Sequence, residues 1–294
     1  MLNSFQYPAL RDAANRASSS AQNKFMWLQR LQLTALVIAA ALAGWPPATE
    51  HQRKFIAILT FVVMVVALAF SLALQLGEFD DHWFRCRAYA ENMKSAAWKF
   101  AMTPEQSSAS AEKLYLEEMA NLRKRLPGED AVILRYGHAG PSITDSMRSV
   151  QFLDLDRRAS LYKKHRVEDQ VKWYSHNSKY NRGREIFWYW AIFTIQIVGV
   201  ILAALQITYA ASYNAVSLVA AGGSAFVAWL RVKRFSDLSI TYAVAARDLR
   251  MICDENRLIG SEEALAAFVT VAEAAISREH SMWLAKRDKS VAIG

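Results

Sequence analysis

The sequence lacks charge in two long stretches, and this absence is its most informative feature. Phe55–Leu76 and Ile186–Ala210 contain no Asp, Glu, Lys or Arg. Each stretch is long enough to cross a bilayer as a helix, which takes about 20 apolar residues. Shorter uncharged stretches, Leu31–Trp45 and Ala215–Leu230, lie beside them. The sequence therefore predicts four transmembrane helices in two hairpins, separated by a polar segment of about a hundred residues.

The chain also lacks the residue patterns of enzymes and metal proteins. Its six histidines are scattered without metal-ligand spacing, and it has no nucleophile elbow, Walker loop or dinucleotide-binding glycine motif. Its two cysteines, Cys86 and Cys253, have no paired spacing, and we expect both to be reduced thiols on the cytoplasmic side. We expect no catalytic residues, no cofactor and no metal site.

Carboxylates and lysines are absent from all four predicted spans. Such groups are expected inside the membrane in many pumps and ion-coupled transporters, so their absence argues against proton-coupled transport. Two alternatives stay open: a passive pore lined by small or weakly polar groups, or helices that only pack together.

Basic residues flank the spans on the sides away from the hairpin loops. They are Lys24, Arg30, Arg85, Arg87, Arg182, Arg184, Arg231, Lys233 and Arg234. The positive-inside rule then places both termini and the central segment in the cytoplasm. The net charge of +8 is better explained by anionic lipid headgroups than by nucleic acid, and no nucleic-acid partner is expected. Five tryptophans near the span ends fit interfacial anchors: Trp27, Trp45, Trp188, Trp190 and Trp229.

The predicted fold is all-α, a polytopic membrane protein whose four helices form two hairpins above a cytoplasmic helical bundle. Long helices are predicted over Phe55–Phe100 and Ile143–Ala210, with a capping box at Thr103–Gln106. Ala131–Tyr136 is predicted as a strand or an extended segment. A weak repeat, with Phe79-Asp80-Asp81 matched by Phe235-Ser236-Asp237, predicts two units over residues 1–142 and 143–294.

Aromatic and polar residues recur at helical spacing on both sides of the central loop. The first face is Trp83, Arg87, Glu91, Lys94 and Trp98, and the second is Tyr162, Arg166, Gln170 and Trp173. Either these faces form a polar seam between cytoplasmic helices, or their aromatic and Arg side chains bind nucleic acid or a nucleotide. The final helix, with Trp283, is expected to close the same bundle. Gly222, Gly223 and Ser224 permit close helix packing in the membrane, within one chain or between subunits.

These two faces resemble motifs of the SLATT superfamily, membrane effector modules found beside nucleotide-signalling genes in bacterial conflict systems. Trp83-x3-Arg87-x2-Ala90-Glu91-x2-Lys94-Ser95-x2-Trp98 is similar to one SLATT subtype. Tyr162-x3-Arg166-x3-Gln170-x2-Trp173-Tyr174 is similar to another, and Glu279-His280-x2-Trp283-x2-Lys286 resembles its tail. The resemblance covers most of the chain as a tandem of two units.

The resemblance implies a homo-oligomeric effector that permeabilises the bacterial inner membrane in antiviral defence, acting as an ion channel or a membrane-disrupting pore. The residues of the two faces would then couple the bundle to the spans or mediate assembly. Membrane lipids are expected partners, together with a nucleotide signal or a soluble signalling protein. The alternative is a non-conducting membrane scaffold or sensor that recruits a soluble partner.

Overall fold

The computed structural model describes residues 5–125, 128–137, 140–209, 215–256 and 259–291, with the side chains of 208–209 and 278–291 excluded. The described elements are helical, as the sequence predicts. The helices are α1 (Ala9–Ala43), α2 (Glu50–Leu76), α3 (Phe79–Ala101), α4 (Ser108–Arg125), α5 (Glu129–Leu134), α6 (Asp145–Gln151), α7 (Leu155–Tyr162), α8 (Asp169–Tyr209), α9 (Ala215–Lys233), α10 (Phe235–Glu255) and α11 (Glu262–Val291). A 3₁₀ turn spans Glu105–Ser107 and a π-helix spans Lys163–Glu168.

Four helical stretches are long and apolar enough to cross a membrane: 9–43, 50–101, 155–207 and 215–255. Within them, the uncharged segments 31–45, 55–76, 186–207 and 215–230 are the membrane-spanning candidates. The last residues of the third predicted span and the loop 211–214 lie outside the described residues. The all-α prediction with four long apolar helices is therefore confirmed.

The first predicted long helix is corrected at Gly77 and Glu78, which separate α2 from α3. Glu78 adopts φ 44, a left-handed conformation that interrupts the helix. Gly77 has no room for a side chain, because a Cβ there would lie 2.7 Å from the carbonyl oxygen of Ala73. A corresponding interruption separates α9 from α10 at Arg234, which has φ 50.

The second predicted long helix is corrected at its start. A break after α6 is followed by Asp154, whose carboxylate accepts a hydrogen bond from the Arg157 amide at 2.8 Å and so caps α7. The helical run therefore starts at Leu155 rather than at Ile143.

Two smaller predictions are also corrected. The segment predicted as strand or extended chain is helix α5, which begins after Gly128 at φ 91. The predicted capping box does not form, because Thr103 donates its hydroxyl to the Lys99 carbonyl oxygen at 3.1 Å. Pro104 instead precedes a short 3₁₀ turn.

The chain divides into two compact units. The bundle unit comprises Met1–Gln22, Asp80–Ser178 and Ile240–Gly294, and the span unit comprises Asn23–Phe79 and Lys179–Ser239. Each unit therefore takes residues from both halves of the sequence.

The two units bury their side chains differently. The bundle unit has a conventional core built around large side chains such as Trp98, Tyr162 and Phe268. In the span unit, Ala67 is the buried residue of α2, while Phe55, Phe61 and Leu68 are more than half exposed. An apolar exterior of this kind is what a bilayer covers.

Candidate functional site

The centre of the bundle unit holds a buried ion pair. The Arg166 guanidinium, from the π-helix, donates two hydrogen bonds to Glu273 of α11: Nε to Oε1 and Nη2 to Oε2, both at 2.7 Å. The Tyr162 hydroxyl donates to the same Oε1 at 3.1 Å. Side-chain exposure is 1% for Arg166 and 0% for Glu273. Two helices distant in sequence are therefore joined by a fully desolvated bidentate contact.

The π-helix places Arg166 in this position. Lys163–Glu168 follows α7 directly and leads without a break into α8. A π-helical turn widens the backbone and is often found at functional sites. Its wider turn carries both Arg166 and Val167 into the core, and both are buried.

The charges of this pair are mutually dependent. Burial opposes the charge on Arg166, but the Glu273 carboxylate outweighs it and raises the pKa of the guanidinium above its ordinary value. Burial, followed by the charge of Glu273, raises the pKa of Tyr162 well above 10. The phenol therefore stays protonated and remains a donor. Removing either charged partner would strand the other in the core, which costs about 3–5 kcal/mol.

Trp98 joins this centre through an aromatic cluster. Its indole Nε1 donates to the Tyr7 hydroxyl at 2.8 Å, and Phe5 stacks on its ring at 4.0 Å with an interplanar angle of 11°. The Tyr162 ring packs edge-on against Trp98, with 5.7 Å between the ring centroids. The segment before α1 therefore packs into the core of the bundle unit.

A charged ladder on α3 lies beside the buried pair. Arg87 contacts Glu91 at 3.5 Å, and Lys94 contacts Glu91 at 4.0 Å. Burial lowers the pKa of Lys94 to about 8, and nearby positive charges, including Arg166, act in the same direction against the opposing effect of Glu91. Glu91 and Arg166 also line one small cavity of about 10 Å³, which has room for about one water. The structure thus brings together one residue from each predicted face.

The other predicted face residues lie elsewhere in the bundle unit. The Trp83 ring stacks on Phe84 at 4.5 Å, and its carbonyl oxygen accepts a hydrogen bond from Ser18 of α1. Gln170 is half-buried, and Trp173 is 40% exposed with its ring against Tyr242 of α10 at 5.1 Å. Trp283 lies in α11, and its side chain is outside the described residues. A coupling or assembly role for these residues stays a prediction.

Sequence reasoning missed Glu273 and Tyr7. A signal for Glu273 was present, because a carboxylate interrupts the apolar face that includes Leu265, Phe268 and Ile276. Buried carboxylates need a cationic partner. Tyr7 precedes the first helix, and nothing in the local pattern indicates that it is buried.

In the span unit, the predicted close-packing residues lie on α9. A Cβ on Gly222 would lie 3.2 Å from Ile195 of α8, and one on Gly223 would lie 3.6 Å from the same side chain. Ser224 is exposed. The first two glycines therefore allow α8 and α9 of one chain to approach each other.

A second polar cluster lies around Glu129 at the start of α5. Its carboxylate is 3.2 Å from His82 Nδ1 and accepts from the Cys86 thiol at 3.4 Å. Burial, with Glu129 adding to it, raises the pKa of Cys86 to about 12, so the thiol stays protonated. Over the described parts of the chain, no group of three or more His, Cys, Asp or Glu side chains is arranged to hold a metal ion.

Two family models match the chain in tandem. Residues 8–159 match the SMODS and SLOG-associating 2TM effector domain 3, and residues 162–283 match the SMODS and SLOG-associating 2TM effector domain 1. The chain belongs to the SLATT family. The predicted tandem of two SLATT units is therefore confirmed, and the four long apolar helices agree with two 2TM domains. No curated protein and no solved structure matches the chain.

SLATT membership implies a membrane effector role in conflict and defence systems. Both matched models describe effector domains and neither describes a catalytic family. The first match ends within α7 and the second begins at Tyr162, so the two domains meet just before the π-helix. The predicted boundary at 142 and 143 stays a prediction.

Proposed function

We propose that this tandem SLATT protein is a homo-oligomeric effector that forms a pore or disrupts the inner membrane of a bacterium during antiviral defence. The observation that carries the proposal is the continuity of the chain from Arg166 into α8. The π-helix that holds the buried Arg166 runs directly into the helix that supplies the third apolar segment. A shift at the ion pair would therefore be passed along one rigid helix into the membrane.

The gating step proposed here is a rearrangement around Arg166 and Glu273. A buried bidentate pair has few alternative geometries, so it favours discrete states over gradual change. The trigger would be a nucleotide signal or a soluble signalling protein. The matched domain names, which link these effectors to SMODS and SLOG proteins, support this part of the proposal.

The location and topology follow the same proposal. The protein would lie in the cytoplasmic membrane with both termini inside, because basic residues flank the spans at the ends away from the hairpin loops. Membrane lipids would contact the exposed apolar faces of α2 and α8, where Phe61 is 69% and Val200 is 70% exposed.

The test is inducible expression in a bacterial host with a membrane-potential dye. We expect rapid depolarisation by the parent chain and its loss in Arg166→Ala and in Gly222→Leu. Arg157→Ala is the matched control, because that arginine lies on α7 with a side chain that is 75% exposed. A stable membrane potential at full membrane expression, with the triggering system co-expressed, would contradict the pore.

Arg166→Ala alone does not separate lost coupling from lost folding. The double variant Arg166→Met with Glu273→Leu removes both charges and leaves no stranded carboxylate. It is expected to insert and remain folded but to depolarise less than the parent chain. Full depolarisation by the double variant would remove the ion pair from the mechanism.

The second candidate is a non-conducting scaffold or sensor that recruits a soluble partner through the bundle unit. The absence of Asp, Glu, Lys and Arg from the candidate spans favours it, because such spans need not line an aqueous path. Two results together would support this alternative: a soluble signalling enzyme co-purifies with the protein, and the membrane does not leak.

A further inference from the structure

Three cations from three helices of the span unit lie against neighbouring aromatic rings, two of them against the same tryptophan. The Arg30 guanidinium, from α1, lies 5.2 Å from the centroid of the Trp229 ring. The Lys233 ammonium, from α9, lies 5.0 Å from the same centroid. Arg184, from α8, lies 6.0 Å from the centroid of the Phe235 ring, two residues after Lys233, and the charges of Arg30 and Arg184 both act against the charge on Lys233. Basic residues that flank three different spans are thus brought to one place.

In the part of the chain that the structure describes, no carboxylate is paired with this group. Within the described residues, none of the three cations forms an ion pair. The acidic side chains nearest in sequence are already engaged: Glu185 with Arg182 at 3.0 Å, and Asp237 with Arg234 at 2.8 Å. Like charges held together without a counter-ion destabilise a fold, so an anion bound among them would offset that cost.

The surroundings of the group are those of a membrane interface. Arg184 lies 5.9 Å from the Trp188 ring and 6.0 Å from that of Phe235, and Arg30 lies 5.6 Å from the Trp27 ring. Arg184 and Lys233 are half-buried. Aromatic rings beside Arg and Lys at span ends are typical of the headgroup level of a bilayer.

A buried donor beside Arg184 also lacks an acceptor. The indole Nε1 of Trp188 is buried and has no hydrogen-bond partner among the described residues. Its ring packs edge-on against Phe226 at 5.3 Å, which fixes its orientation. A buried N–H without an acceptor is unfavourable, so a ligand oxygen that accepted from Trp188 would offset that cost.

We propose that Arg30, Arg184 and Lys233 form a binding site for the headgroup phosphate of an anionic phospholipid such as phosphatidylglycerol. The lipid chains would lie along the exposed apolar helices below, and the phosphate would bridge α1, α8 and α9. A soluble phosphate compound shares the headgroup chemistry, but the tryptophan surroundings and the adjoining apolar faces favour a lipid. The site requires no pore and is independent of the proposed gating.

The test is a lipid titration of the full chain, purified and delipidated in a neutral detergent. Short-chain phosphatidylglycerol is the probe, short-chain phosphatidylcholine is the neutral comparison, and native mass spectrometry counts the bound lipids. We expect at least tenfold preference for phosphatidylglycerol. Each of Arg30→Gln, Arg184→Gln and Lys233→Gln should weaken binding about fivefold, since a basic residue at an anionic surface contributes about that factor.

Arg231→Gln is the matched control. Arg231 is exposed on the same turn of α9 as Lys233, and its substitution removes the same charge. It should change binding less than twofold. Equal affinity for the two lipids, or an equal loss in Arg231→Gln and Lys233→Gln, would overturn the proposal and leave only diffuse attraction.

Two further measurements test whether charge alone is sufficient and whether the ligand is a lipid. Arg30→Lys and Lys233→Arg keep the charge and should keep most of the affinity, and their failure to bind would contradict an electrostatic site. Inorganic phosphate and ATP are titrated against bound phosphatidylglycerol. Displacement at concentrations matching that of the lipid would assign the site to a soluble phosphate and overturn the lipid assignment.

Discussion

The bundle unit and the span unit treat charge in opposite ways. In the bundle unit, Arg166 and Glu273 are buried together and satisfy each other through two hydrogen bonds. In the span unit, Arg30, Arg184 and Lys233 are set against aromatic rings without carboxylate partners. In the first arrangement both carboxylate oxygens are paired within the chain, while Arg166 Nη1 is buried without a partner among the described residues. The second arrangement leaves positive charge available to the surroundings. The difference separates a part that holds its own structure from a part that faces a bilayer.

The largest effect is expected when the buried pair is broken. Arg166→Ala should lower the free energy of unfolding by about 3–5 kcal/mol, because it leaves the Glu273 carboxyl group buried in the core without its partner. The double variant Arg166→Met with Glu273→Leu should recover most of that loss. Chemical unfolding in detergent, followed by far-UV circular dichroism, measures both. Similar stability of the single and double variants would contradict a mutually satisfied pair.

Burial of the Lys94 ammonium group should make the stability of the bundle unit depend on pH. Its folded-state pKa is about 8, below the ordinary value of 10.5, so the unfolded chain binds more protons between these values. The parent chain should therefore gain stability relative to Lys94→Met as the pH rises from 7 to 10. The gain should be up to about 3 kcal/mol. Unfolding titrations of both proteins across this range measure it, and a pH-independent difference would show that burial of the ammonium costs nothing.

Gly77 tests how tightly the end of α2 is packed. A methyl group at this position would lie 2.7 Å from the Ala73 carbonyl oxygen, so Gly77→Ala should destabilise the protein by about 1–3 kcal/mol. Gly183→Ala on α8 is the matched control, since nothing lies within 4 Å of its new Cβ. The control should be stabilising by about 0.5–1 kcal/mol, because alanine favours the helix. The thermal unfolding temperatures of the two variants should shift in opposite directions from that of the parent chain.

The smallest effect is expected at an exposed pair of the bundle unit. Lys172 lies 3.9 Å from both Glu168 and Asp169, and its side chain is 71% exposed. Lys172→Met should change the free energy of unfolding by less than about 0.5 kcal/mol, because solvent screens such contacts. The same unfolding assay measures this change, which is the reference value for the loss caused by Arg166→Ala. A loss comparable to that of Arg166→Ala would mean that burial does not distinguish the two pairs.

The four apolar helices could be predicted from sequence because membrane spans are defined by a long-range absence of charge. The interruptions could not be predicted as readily. Gly77 alone is tolerated in a helix, and the break depends on the left-handed backbone of Glu78, a residue with no preference for it. Helix α5 is six residues long and its apolar run, Ala131–Leu134, is four, and at that length a short helix and a strand have similar patterns.

The candidate site was predicted in part. Arg166, Tyr162 and Trp98 were selected by their spacing, and the structure places all three around one centre. Their partners, Glu273 and Tyr7, are more than ninety residues away along the chain from the side chains that they contact. Helical periodicity relates neighbours on one face and carries no information about which distant helix packs against it.

The left-handed residues Glu78 and Arg234 are 156 residues apart, the same offset that relates the two copies of the weak sequence repeat. One is acidic and the other basic, so side-chain chemistry does not explain their shared conformation. What the two halves have in common at this point is a backbone dihedral angle, directly before a phenylalanine in each case. At this point the two hairpins are therefore more alike in the path of the main chain than in the identity of their residues.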